Sequence, residues 1–244
     1  MKRLNKYAHT RMKRLAAALE NYHQFQEAYS LHRIRVEIKK LRAVVQAVAF
    51  ADRQVDIRKA FRPIQKIFRK SGQIRHPAVT RELILVYGID GVPLSSVADL
   101  QEAQDTFRAA VPFYITQVQK FDRKLAKWLQ SISAKDLVAF VRKREKLIKP
   151  VFVPAFKPTH LHQARKRIKQ VFYLSGLVAC IKPKDRKIYS RLEKAIGSLH
   201  DKETVLEFLA MLPGSTDPSS VTRLRRSCSE ERKSIRAMAV HFYR

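Results

Sequence analysis

Glycine is scarce in this 244-residue chain, with six residues in all, and cysteine is scarcer still at two. So few glycines leave little scope for a glycine-rich phosphate cradle, and no G-x-x-x-x-G-K-[ST] loop occurs. Cys180 and Cys228 lack metal-ligand spacing and read as structural or incidental thiols of a reducing compartment, so a cytoplasmic location is expected. No apolar run approaches the roughly 20 residues that span a bilayer, and no membrane insertion is expected. The first residues, MKRLNKYAHTRMKRLAAAL, are basic but have no apolar h-region or cleavage site. They read as an ordinary first helix rather than a secretory signal. Acidic residues are also few: 21 against 50 Lys and Arg, a formal charge of +29.

What is present is enough to fold. Hydrophobic residues make up 45% of the chain, and its length suits one large domain or two closely packed halves. A charge of +29 repels itself when compact, so a polyanionic partner is the natural counterweight. Phosphate polymers, nucleic acid and anionic membrane surfaces all qualify.

Apolar residues recur mostly at spacings of three and four, the helical period, and no long alternating run argues for a sheet. The pattern predicts an all-α chain of about ten helices, broken where turn formers cluster. The breaks are Gly88 to Pro93, Lys149 to Pro158, and Pro213 to Pro218. Glu82 to Tyr87 (ELILVY) is read as the end of a buried helix in preference to a strand.

The segments flanking the Pro-rich break repeat. Leu31-His32-Arg33-Ile34-Arg35 through Lys40 is echoed by Leu161-His162 through Gln170 at an offset of 130 residues. Arg62, Lys66, Arg69 and Gly72 are echoed by Lys187, Arg191, Lys194 and Gly197 at an offset of 125. An N-terminal repeat of about residues 1–148 and a C-terminal one of about 159–244 follow, within a single domain. Charge follows the repeat: residues 31–75 hold thirteen basic and three acidic residues, 159–200 hold ten and two, and 76–119 hold two and five.

On a helix turning about 100° per residue, His32, Arg35, Lys39 and Arg42 share one sector. Ile34, Ile38, Leu41, Val45 and Val48 share a neighbouring one. The second copy repeats this with His162, Arg165 and Lys169 against Ala164, Ile168, Val171 and Val178. On the partner helices Arg62, Lys66 and Arg69 share a face from which Ile64, Ile67 and Phe68 turn away. Lys187, Arg191 and Lys194 do the same, with Tyr189, Leu192 and Leu199 as core candidates. Four cation ladders at one-turn spacing, if they face one another, line a channel of positive potential. Such a channel suits linear polyphosphate, whose repeating phosphoryl oxygens take the Arg fork and the Lys point charge. His200 opens a Gly197-x-x-His200-Asp201 turn and reads as a helix-terminal hydrogen-bonding residue. His9, His23, His160 and His241 are left unassigned.

This doubled His-x-x-Arg-x-x-x-Lys ladder, each followed by a basic helix ending in Gly-x-x-basic, resembles the CHAD domain (conserved histidine α-helical domain). The resemblance implies two pseudo-symmetric four-helix bundles around a central basic channel, inorganic polyphosphate as the bound partner, and association with polyphosphate granules. The family's binding positions map onto His32, Arg35, Lys39, Arg42, Arg62, Lys66, Arg69 and Arg75. In the second copy they map onto His162, Arg165, Lys166, Lys169, Arg191, Lys194 and His200, with Lys187 added by the ladder. Two departures stand out. The first copy has His76-Pro77 where the second has Asp201, and Phe172 replaces Arg42, which leaves the second ladder one cation short.

No catalytic constellation accompanies the ladders. Polyphosphate chemistry would require carboxylates to hold Mg²⁺, and the repeated units contain only Glu37, Asp52, Asp56, Asp185 and Glu193. The reading is a binder, not an enzyme, without metal or cofactor. Nonspecific DNA or RNA binding is the alternative, since it draws on the same cations; no helix-turn-helix, RNP, KH or zinc-finger signature supports it.

Overall fold

The computed structural model describes residues 2–89, 92, 97–211 and 218–243. These form ten α-helices and two single 3₁₀ turns, with no strand among the described residues. The fold is all-α. The helices are α1 (Lys2–Phe25), α2 (Ala28–Ala51), α3 (Ile57–Ala60), α4 (Arg62–Val86), α5 (Val97–Ala109), α6 (Val111–Trp128), α7 (Ala134–Lys146), α8 (Leu161–Val178), α9 (Pro183–Ala210) and α10 (Pro218–Tyr243).

Local chemistry sets their ends. The Asp56 side chain accepts from the Lys59 amide at 3.1 Å and starts α3. Ser133 and Asp136 form a reciprocal box at the start of α7: the Asp136 amide donates to Ser133 Oγ at 3.1 Å and the Ser133 amide to the Asp136 carboxylate at 2.9 Å. Prolines in the first turns of α6 and α9 remove donors that have no intrahelical partner there. The α8 helix stops at Ala179, a non-glycine residue at φ 47°. The break at Lys149 to Pro158 carries the two 3₁₀ turns, Lys149–Val151 and Pro158–His160. Gly88 turns at φ 61°, while Asp90, Gly91, Pro93 and residues 213–217 of the other expected breaks lie outside the described residues. ELILVY is helical through Val86, as read; Ile84 is buried, but Leu85 and Val86 are exposed.

Both Gly-x-x-basic segments correct the sequence reading. The first basic helix, expected to end at Gly72-x-x-Arg75, instead continues as α4 through Pro77 to Val86. The expected turn at His200-Asp201 likewise lies inside α9. Both glycines therefore serve packing rather than chain reversal.

The chain gathers into two compact units. The first holds residues 1–77, 96–140 and 176–178; the second holds 78–95, 141–175 and 179–244. In the first, the apolar sector of α2 (Ile34, Ile38, Leu41, Val45, Val48) is buried, together with Leu15 and Leu19 of α1. Tyr22 meets Phe107 edge-on at 5.4 Å, and Phe61 packs on Phe121 at 5.3 Å. Glu37 is buried too, where it pairs with Lys40 at 2.8 Å and Arg11 at 3.3 Å. In the second unit, Ala164, Ile168 and Val171 of α8 and Tyr189, Leu192 and Leu199 of α9 are buried. Tyr189 packs edge-on against Phe242, and its hydroxyl donates to Glu145 at 3.2 Å. Ile84, Ile89, Val205, Leu209 and Leu224 form a further apolar cluster.

Candidate functional site

The sixteen cationic and histidine positions expected from the sequence divide evenly: α2 and α4 place eight in the first unit, and α8 and α9 place eight in the second.

In the first unit the inner cations converge on Phe68. The Arg35 guanidinium lies 4.1 Å from the centre of that ring, Arg42 4.7 Å, and the Lys39 ammonium 6.0 Å. Arg35 also donates through Nη1 to the Phe68 carbonyl at 2.6 Å. Phe68 was expected to turn away from Arg62, Lys66 and Arg69 of its own helix; the cations it meets are those of α2, and the half-buried ring is the floor on which they rest. Burial first, and then the charges of Arg75 and Arg42, push the Arg35 guanidinium down to about 10. Burial alone lowers Arg42. Each cause disfavours the charged form, so the cluster is a site at which positive charge is held under electrostatic tension. His32, Arg62, Lys66 and Arg69 stay exposed around it.

Gly72 explains how Arg35 reaches its seat. A Cβ at this position would stand 2.5 Å from Arg35 Nη1, so only glycine lets the guanidinium lie across α4. The second unit repeats the device: a Cβ at Gly197 would stand 2.8 Å from Arg165 Nη2.

The anionic side of the second unit differs. Glu193 Oε1 accepts from Arg165 Nε and from Lys169 Nζ, both at 3.0 Å. Burial works to raise the Glu193 carboxyl, but the hydrogen bonds and charges of Lys169 and Arg165 outweigh it and hold it below its ordinary value. The His162 and His200 rings stand 4.9 Å apart, tilted by 51°. They line a cavity of about 430 Å³ with Glu203, Glu207 and Arg232, and Arg232 pairs with Glu203 at 2.6 Å. Phe172, in the place of Arg42, has Arg186 6.0 Å from its centre. Lys166, Lys187, Arg191 and Lys194 are exposed.

Sequence reasoning missed three features. The aromatic floor and the Glu193 pair were both accessible from the offset of 125 residues, which sets Phe68 opposite Glu193. The third is a cavity of about 910 Å³ in the first unit, away from the ladders' inner cations, lined by Lys59, Lys120, Arg123, Lys124, Lys127 and Trp128 among others. Its cations sit on α3 and α6, outside the four ladders, and no sequence signal joins those helices. Among the described residues no group of three or more His, Cys, Asp or Glu is placed to hold a metal ion, and no helix is long and apolar enough to cross a membrane.

A search of curated proteins returns no match. The chain is similar in structure to the CHAD domain of the plant Ricinus communis, solved by crystallography, with a TM-score of 0.64 at 14% identity over 98% of this chain and 90% of that one. The family model described as the CHAD domain matches residues 6–210, and the chain belongs to the CHAD-domain family.

Proposed function

We propose that this protein binds linear inorganic polyphosphate on its cation ladders and does no covalent chemistry on it. One observation carries the reading: the Arg35 and Arg42 guanidiniums share the Phe68 ring at 4.1 and 4.7 Å, where burial first and then the repulsion of Arg75 and Arg42 push Arg35 down to about 10. A ligand supplying closely spaced phosphoryl oxygens relieves that repulsion and offers each guanidinium a charge-assisted bond. The family as a whole is associated with polyphosphate binding, in agreement with this chemistry. The exposed cations flanking the cluster extend the contact along an unbranched chain. Glu193, the carboxylate set among the ladder cations, is engaged by Arg165 and Lys169, which disposes it toward charge balance rather than Mg²⁺ ligation. Association with polyphosphate granules follows from such binding. A fluorescent fusion should concentrate on granules and disperse from them in cells unable to make polyphosphate.

One feature favours a second reading, nonspecific binding of single-stranded nucleic acid. Trp128 lines the basic cavity on α6, and a tryptophan beside lysines is the usual platform for a stacked base. Competition at physiological ionic strength separates the two. Long-chain polyphosphate should displace a labelled oligonucleotide at equal phosphate concentration; displacement in the opposite direction overturns the polyphosphate reading.

A further inference from the structure

Aligned at their two offsets, the copies differ by a paired exchange. Phe172 stands opposite Arg42, and Glu193 stands opposite Phe68. The first unit has an aromatic floor and an added arginine, where the second has an aromatic on α8 and a carboxylate on α9. The arginines themselves are presented alike, Arg35 across Gly72 and Arg165 across Gly197. What Arg165 meets there is an anion that bridges it to Lys169 at 3.0 Å on each side. A carboxylate oxygen accepting from one Arg and one Lys makes the contacts that a phosphoryl oxygen would make. Further acid lies near the histidine end of this ladder, where Glu203 and Glu207 line the cavity shared by His162 and His200.

We propose that Glu193 is a resident anion occupying a phosphate position of the second ladder, so that the first ladder is the primary polyphosphate seat and the second admits ligand only by displacing the carboxylate. This rests on the polyphosphate reading above. Because Lys169 and Arg165 keep Glu193 ionised at neutral pH, it competes with the ligand throughout that range. The two halves of the chain, alike in their arginine seats, therefore bind phosphate unequally.

The test uses the full chain and long-chain inorganic polyphosphate, titrated calorimetrically at physiological ionic strength. Glu193→Gln is compared with Glu20→Gln, which removes an exposed acid from α1. Phe68→Glu, which gives the first ladder the acid of the second, is compared with Gln24→Glu, at an exposed position on α1. Losing one competing charge-assisted contact should strengthen Glu193→Gln by about tenfold over its control, and Phe68→Glu should weaken binding by about tenfold relative to Gln24→Glu. Without ligand, Glu193→Gln should melt below the wild type, and saturating polyphosphate should narrow that gap. If Phe68→Glu does not fold, as judged by circular dichroism, the Glu193→Gln arm decides alone. A wild type that does not bind polyphosphate overturns the functional reading. A wild type that binds, with Glu193→Gln no tighter than Glu20→Gln, overturns the resident anion.

Discussion

Arg35 lies on Gly72 so closely that a single added methyl carbon would come within 2.5 Å of its Nη1. The far end of a flexible side chain can swing clear, so Gly72→Ala should fold normally. Helix propensity favours Ala over Gly by about 1 kcal/mol, which offsets the lost Phe68 carbonyl bond of similar size. Melting temperature should therefore barely move while polyphosphate affinity drops, because Arg35 is expelled from its seat. Titration of Gly72→Ala with unchanged affinity would show that the seat does not serve binding.

The ladder and the α6 cavity make opposite predictions for variants of equal charge. Arg35→Gln/Lys39→Gln/Arg42→Gln and Lys120→Gln/Lys124→Gln/Lys127→Gln each remove three cations. Charge-assisted contacts contribute roughly 1.5–3 kcal/mol each, so the ladder variant should lose at least about 100-fold in polyphosphate affinity even after discounting non-additivity. The cavity variant should lose only the few-fold effect of lower net charge. A larger loss in the cavity variant would move the site to α6 and Trp128.

Glu193 has a definite pH signature. Its folded pKa lies below the ordinary value, so its ion pairs contribute stability above about pH 5 that is lost as pH falls through the depressed folded value. Chemical denaturation of the wild type and Glu193→Gln should show a constant difference from pH 5 to 8 that disappears in stronger acid. A difference that grows on acidification contradicts the assigned pairing.

Glu37 contributes to the core rather than to the ladder. It is 4% exposed and pairs with Arg11 and Lys40. Glu37→Gln weakens both pairs and should cost about 1–3 kcal/mol. Polyphosphate affinity should stay within about twofold of wild type; a strong effect on binding with no loss of stability would reverse this assignment.

How much of this was legible in the sequence depends on whether the information was local. The apolar sector of α2, from Ile34 to Val48, was legible because the helical period places those residues on one face whatever lies opposite, and all five are buried. What Phe68 meets was not legible because periodicity reports a direction and not a neighbour. An aromatic at the edge of an apolar sector meets either leucines or guanidiniums, and only the packing of α2 on α4 decides between them. Gly197 and Gly72 were read as marking helix ends, a common use of glycine; a glycine hollowed out for a facing arginine leaves the same trace in one dimension. The Trp128 cavity joins α3 and α6 across more than fifty residues of chain, which no local pattern spans.

Ala179 ends α8 in the left-handed region at φ 47°, where a Cβ is strained by roughly 1 kcal/mol. Ala179→Gly should raise stability by up to that amount, a shift of about 2–4 °C in Tm for a chain of this size. An unchanged or lower Tm would mean that the greater freedom of the unfolded glycine cancels the relief.

The seating of Arg35 also determines when its side-chain entropy is lost. A free arginine surrenders about 2 kcal/mol of rotamer entropy on being fixed. Arg35, held by the Phe68 carbonyl and stretched over Gly72, has surrendered most of it during folding, before any ligand arrives. Exposed Lys66 and Arg69 on α4 have not. A phosphate chain therefore meets a rigid grip surrounded by loose ones. Its central contacts form with little ordering, while each flanking contact is partly cancelled by ordering of the side chain that makes it. Chain segments longer than the inner cluster should add progressively less affinity per phosphate, so the protein distinguishes a short polyphosphate from none more sharply than a long one from a short one.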